Sequence, residues 1–200
     1  MSKLKKKIKK YVTEFLVVAF GVFLGIYVNE WENNKQLNSD KEKVIQNILS
    51  ELEDNKEKLL KSVSYHQKIK INLDSTLAKT PEEIKFERYL GNKHFKFVTI
   101  KGWTGVNFPE YDTTAFEVAK MSGILQNMDI NVVQEISKIY NKIQNLASFQ
   151  NLITNKMMEL NYETKVIDVV GSLTLVVGDN LNMEKLLVKE VEKTIAHIKG

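Results

Sequence analysis

The 200-residue chain carries 29 basic and 25 acidic residues and no cysteine, which excludes disulfides, thiolate catalysis, thiolate-bound zinc and iron–sulfur clusters. Its formal charge of +4 belongs to the first ten residues: once Lys3, Lys5, Lys6, Lys7, Lys9 and Lys10 are set aside, the 29 basic residues fall to 23, against 25 acidic ones. Arg88 is the only arginine, so the planar fork that reads phosphates and bases is nearly missing and nucleic acid is not an expected partner.

The lysines lead into Val12 to Val28, an apolar stretch with Glu14 as its only charge. At a rise of 1.5 Å per residue this helix is roughly 25 Å long, just short of the ~30 Å hydrocarbon core. Tyr11 on one side and Tyr27 and Trp31 on the other stand where interfacial aromatics belong. We read residues 1–11 as a basic cytoplasmic tail and 12–28 as a transmembrane helix. A signal peptide is a second reading, but Asn29-Glu30-Trp31-Glu32 offers no small-residue cleavage site. A core or surface-lying helix is the third, and it needs no lysine cluster. The positive-inside rule places the tail in the cytoplasm and residues from about 32 onward outside. Glu14, Val18, Gly21, Gly25 and Val28 share one stripe, a possible seam for helix packing in the membrane. Glycine is also common in membrane helices, so the pattern alone is weak.

Residues 29–40 are polar, either a linker or a continuation of the helix. From 41 to 200 the chain reads as a helical domain. Ile45, Leu52, Leu59, His66 and Leu73 recur every seven residues, predicting an amphipathic helix to about Lys79. Thr80-Pro81-Glu82-Glu83 opens a short helix ending near Gly91. An insertion at about 92–112 follows, in which Phe95 to Ile100 forms short strands or an ordered loop. Thr114-x-x-Glu117 caps a short helix ending at Gly123. Val132, Ile139, Leu146, Ile153 and Leu160, with Ile136, Ile143, Gln150 and Met157, give four heptads of a long helix over about 130–162. Gln150 breaks that seam, and we read it as an edge position facing water. Val166 to Val177 is too short for a second span, and reads as a strand or as a helix end before a turn at Gly178. The last helix sets Met183, Leu187, Val191, Ile195 and Ile198 on its apolar side and Glu184, Lys185, Lys189, Glu192 and Lys193 on its polar side.

The expected fold is therefore mainly α: an N-terminal transmembrane helix, then a long-helix antiparallel bundle with one strand or loop insertion. His66, His94 and His197 lack metal-site spacing, and His66 on an apolar stripe reads as a packed histidine. No phosphate loop, G-x-S-x-G or plausible triad is present. Glu82-Glu83 reads as a helix start and Glu110/Asp112 as loop. Neither a cofactor, a metal site nor an enzymatic activity is expected. Trp103, Phe108, Tyr111 and Phe116 concentrate rings around two glycines and a proline. They form either a partner-recognition loop or, the reading we favour, a plug at the end of the bundle.

Glu14-Phe15-Leu16-Val17-Val18-Ala19-Phe20-Gly21-Val22 with Val28-Asn29-Glu30-Trp31, and later Thr114-Ala115-Phe116-Glu117, Ser122-Gly123 and Ile139-Tyr140, resemble the opening and middle of an uncharacterised family of bacterial membrane-anchored proteins. Tyr140 stands alone where that family often has an aromatic pair. The resemblance implies a single-pass protein with a helical ectodomain, and no activity. The expected place is the bacterial inner membrane, with the bulk of the chain periplasmic. The expected role is a non-catalytic scaffold or complex subunit, whose partners are the lipid bilayer and a second copy or another membrane or periplasmic protein. The alternative is a ligand-sensing ectodomain that signals through a partner.

Overall fold

The computed structural model describes the backbone of residues 2–199 and the side chains of residues 7–199, so the side chains of Lys3, Lys5 and Lys6 lie outside the described residues. The protein is mainly helical, and no strand forms among the described residues. Helix α1 is a single element, Ser2–Leu77, and it crosses from one compact unit, residues 1–45, into a second, residues 46–200. No glycine or proline occurs between Ile26 and Leu77, so nothing in the chain breaks the ladder and residues 29–40 are helix, not linker. The end comes where the sequence predicts it. Thr80 precedes Pro81 and avoids helical geometry, and bonds from Lys79 N to Thr76 O and Thr80 N to Leu77 O tighten the last turn.

In the first unit the large apolar residues from Val12 to Val28 of α1 are exposed: Phe15 is 70% accessible, Phe20 65% and Phe23 72%. Further along, Gln36 donates to both Asp40 oxygens at 3.0 Å and Lys43 lies 3.3 Å away. These two partners, Gln36 first, hold the Asp40 carboxyl below its usual range.

The second unit contains the distal half of α1 and four further helices: α2 (Thr114–Met121), α3 (Ile130–Met158), α4 (Val166–Thr174) and α5 (Leu181–Lys199). Ile48, Leu52, Leu59, Ile69 and Leu73 of α1 are buried, as are Ile136, Ile139, Ile143, Leu146 and Ile153 of α3, so both heptad seams face the interior.

Three expectations need correction, and one open alternative is decided. The Val166 to Val177 stretch is neither strand nor helix end. Val166, Val169, Leu173 and Val176 fall at helical spacing and are all buried. The helix passes Gly178 through a π-helical turn, Leu175–Asn180, straight into α5. The strand alternative for Phe95 to Ile100 gives way to an ordered loop with one 3₁₀ turn, Phe97–Thr99; only an isolated bridge, Arg88 to Lys165, has β geometry. Thr80-Pro81 opens only the 3₁₀ turn Glu82–Phe86, and the Thr80 hydroxyl bonds back to Thr76 O at 2.9 Å instead of capping forward. Thr114 is not the cap of α2 either: the N-cap is Thr113, without a side-chain bond. The N-terminal amide of Ala115 is instead taken by Glu51 of α1 at 2.7 Å.

Candidate functional site

A loop without regular structure must find partners for its main-chain polar groups, and the segment Lys101–Ala115 finds them on α1. Asn72 donates to Lys101 O at 2.7 Å. Tyr65 donates to Gly105 O at 2.7 Å and accepts from Thr104 N at 3.0 Å. His66 Nε2 donates to Val106 O at 2.7 Å. Asn55 brackets Asp112, donating to its carbonyl at 2.7 Å and accepting from its amide at 2.9 Å. Lys58 meets the Asp112 carboxylate at 2.5 Å. Residue numbers fall on the helix as they rise on the loop, so the segment runs antiparallel to α1, stitched down by side chains of one helical face. Asn107, at φ +49, adopts the left-handed region, and its amide holds Thr104 Oγ1 at 2.7 Å.

Beneath this loop lies a sealed polar cluster that the sequence did not announce. His66 of α1 and Glu184 of α5 are both fully buried, with His66 Nδ1 2.8 Å from Glu184 Oε2. The other carboxylate oxygen accepts from Ser62 Oγ at 2.7 Å, Asn180 Nδ2 at 2.9 Å and Gln150 Nε2 at 3.3 Å. Since Val106 O is an acceptor, His66 Nε2 carries a proton. A second proton sits between Nδ1 and Oε2, and the pair is neutral overall whichever atom holds it. Four donors around one buried carboxylate meet the condition under which burying it is tolerable. Glu184 thus leaves the polar side of α5 assigned to it from sequence, because α5 buries Glu184, Leu187, Val191 and Ile195 as one stripe that continues from Asn180 of the π-helical turn. Gln150 likewise faces inward and not water: it is 3% exposed.

Ser62, His66 and Glu184 are the side-chain types of a hydrolytic triad, yet their order differs from that of one. A nucleophilic serine donates to the histidine, which is oriented by the carboxylate. Here the serine donates to the carboxylate at 2.7 Å and lies 3.3 Å from His66 Nδ1, and both imidazole nitrogens are already engaged with Glu184 and Val106 O. Among the described residues no group of three metal-binding side chains converges.

A cleft of about 660 Å³ opens between the 106–113 loop, α2 and α3. Of the four aromatic residues singled out in the sequence, Phe108, Tyr111 and Phe116 line it. Trp103 does not: it stacks on Phe97 with centroids 5.6 Å apart. Phe116 is buried, stacked on Tyr140 at 4.4 Å, and Tyr140 donates to Glu51 Oε1 at 2.5 Å. The same carboxylate therefore caps α2 and fixes the ring under it.

Burial, followed by the Glu51 hydrogen bond and charge, raises the Tyr140 phenol above its usual range. A raised acid contributes stability that is fully present below the unfolded value, about pH 10, and is lost above it. Tyr140→Phe should therefore be less stable than the parent by about 1–3 kcal/mol at neutral pH. That gap should narrow by about 1.4 kcal/mol for each pH unit above about 10. Urea titrations at the two pH values check this, and a gap that stays constant would refute the assignment.

The membrane-stripe residues Glu14, Val18, Gly21, Gly25 and Val28 are exposed on α1, and a Cβ at either glycine would meet nothing within 4 Å. Glu14 lies 3.7 Å from Lys10. Tyr11, Tyr27 and Trp31 are exposed as well, with Lys35 Nζ 5.7 Å from the Trp31 ring centroid. Two described helices are long and apolar enough to cross a membrane. In the α1 candidate none of the most apolar stretch is buried, whereas 44% is buried in the one spanning Val166–Lys199. No protein-family model, curated protein or solved structure matches the chain.

Proposed function

We propose that the chain is a membrane-tethered, non-catalytic helical domain that serves as a scaffold or as a subunit of a membrane complex. The observation that carries this reading is the exposure of Val12 to Val28 on α1, where every residue but the half-buried Ala19 is exposed, an arrangement that water penalises and lipid favours. Lys7, Lys9 and Lys10 at its start and Glu30 and Glu32 at its end support a cytoplasmic N-terminus and a periplasmic domain at a bacterial inner membrane. The resemblance to a bacterial family of anchored proteins agrees with that placement. Thr13, within the apolar stretch, returns its hydroxyl proton to Lys9 O at 2.9 Å, so the helix brings no unsatisfied hydroxyl into lipid. The seam of Gly21 and Gly25 is available to a second copy of the chain. We read the distal half of α1, α3 and α5 as an antiparallel bundle, a reading supported by their inward seams and by the His66–Glu184–Gln150 contacts. The non-catalytic reading is supported by the sealed His66–Glu184 pair, to which no substrate has access.

The test is topological. Alkaline phosphatase fused after Gly200 should be active in whole cells, and the chain should stay with membranes through alkaline carbonate extraction. An inactive fusion, or release by carbonate, overturns the reading.

A second reading, a ligand-sensing domain, is favoured by one observation: the cleft between the 106–113 loop and α3 has the size of a small-molecule site.

A further inference from the structure

The floor of that cleft has a fixed hydrogen-bonding polarity, set from behind. Glu184 accepts from Asn180 Nδ2, which turns Asn180 Oδ1 toward α3, where it accepts from Gln150 Nε2 at 3.1 Å. Gln150 Nε2 also meets Glu184 Oε1, so a reversed amide would set two acceptors against its oxygen. Gln150 is 3% exposed and lines the cleft. Its Oε1 has no partner among the described residues, and none of their sealed side-chain nitrogens or oxygens lacks one. The oxygen therefore opens on the cleft as an unclaimed acceptor. Beside it the Tyr111 hydroxyl lies 3.4 Å from Gln150 Nε2, whose two hydrogens serve Asn180 and Glu184, and its own hydrogen has no acceptor among the described residues. Burial keeps that phenol protonated.

We propose that this cleft binds a neutral, polyhydroxylated ring compound, a mono- or disaccharide. This rests on the ligand-sensing reading and names the ligand class that reading leaves open. A hydroxyl both donates and accepts, and so satisfies Gln150 Oε1 and the Tyr111 O–H together. Asn141, Gln144 and Asn151, exposed on the α3 side of the cleft, offer further uncharged groups that do both. The half-buried rings of Phe108 and Tyr111 supply an apolar wall for the C–H face of a sugar. Anions are disfavoured, because the one cation in the lining, Lys120, is paired with Glu117 at 2.7 Å. An extended peptide is disfavoured too: the α2 and α3 walls have internally bonded main chains and offer no edge for strand addition.

The experiment is calorimetric titration of the full chain, in a detergent without a sugar headgroup, with maltose, cellobiose and N-acetylglucosamine. At least one should bind with micromolar to millimolar affinity. Ala147→Trp, which fills the half-buried floor one turn before Gln150, should weaken that binding at least about tenfold while the domain still melts cooperatively. Asn151→Ala should weaken it about fivefold. Binding that Ala147→Trp leaves unaltered overturns the site. If glucose 6-phosphate, trialanine or spermidine binds and the neutral sugars do not, the sugar assignment falls while the ligand-sensing reading stands. If none binds, both fall.

Discussion

Glu184→Leu is expected to destabilise the domain by about 3–5 kcal/mol, because it strands a buried charge partner and several donors at once. His66 would have to surrender the Nδ1 proton and fall back on the longer contacts from Ser62 Oγ at 3.3 Å and Asn180 Nδ2 at 3.5 Å. Ser62 and Asn180 would each lose their bond to Oε1. At roughly 2–4 °C per kcal/mol for a domain of this size, the melting temperature should drop by about 6–20 °C. The informative comparison is the triple variant Ser62→Ala, His66→Leu, Glu184→Leu. Removing the whole group costs less than removing one partner, since no charge is then left buried alone. The triple variant should therefore recover a substantial part of the loss, measured by thermal and urea denaturation followed by circular dichroism. Additive losses would mean that the three side chains do not act as one unit. A Glu184→Leu effect inside the ±0.5 kcal/mol typical of surface changes would sink the buried pair altogether.

That cluster marks the boundary of what the sequence discloses. The helices with regular seams, the distal half of α1 and α3, are legible because Leu52, Leu59 and Leu73 on one and Ile139, Leu146 and Ile153 on the other repeat every seven residues and end up buried. His66 occupies the register of Leu52, Leu59 and Leu73, and Gln150 the companion register of Ile136 and Ile143, so their inward direction was available. What was missing is the partner. A polar residue on a seam reads as an edge unless something across the core satisfies it, and Glu184 and Asn180 lie on an element whose apolar periodicity also fits a different face. Choosing between those faces takes knowledge of where α5 packs, which is a long-range fact. The π-helical turn before α5 compounds this, since one extra residue per turn changes the face the following helix presents. Val166 to Val177 misled for another reason: β-branched residues favour strands only weakly, and burial against α1 and α3 overrides the preference. The loop deceived least in its aromatics and most in its route. That the segment from Lys101 to Ala115 would follow α1 backwards depends on Asn55, Tyr65, His66 and Asn72 offering their side chains to its main chain, and in the sequence those residues read only as polar helix positions.

Phe95→Ala is the second large effect, expected at about 3–5 kcal/mol for a fully enclosed phenylalanine. Phe95 is 0% exposed and belongs to a cluster containing Ile69 and Leu73 of α1, Ile153 of α3, and Val166, Val169 and Leu173 of α4. It stands in the insertion and has no helix of its own to hold it. Its local support is Asn92, whose side-chain oxygen accepts from His94 N at 2.8 Å and Phe95 N at 2.9 Å while its amide donates to Glu87 at 2.8 Å. The ring is thus the point where the loop enters the core, with Ile100 as the next one, 1% exposed. Beyond these anchors the loop is held by side-chain hydrogen bonds from α1, each worth about 1 kcal/mol. Losing the ring should therefore loosen the loop before the helices unfold. Trp103, half-buried against Phe97, reports on it, whereas the other tryptophan, Trp31, lies in the first unit. Its emission should shift to the red in Phe95→Ala under conditions where helical content is intact. Val98→Ala, in the same loop at 86% exposure, should stay within about 0.5 kcal/mol of the parent. Equal costs for the two substitutions would show that the insertion is not anchored through Phe95, and the wall of the cleft would then need another support.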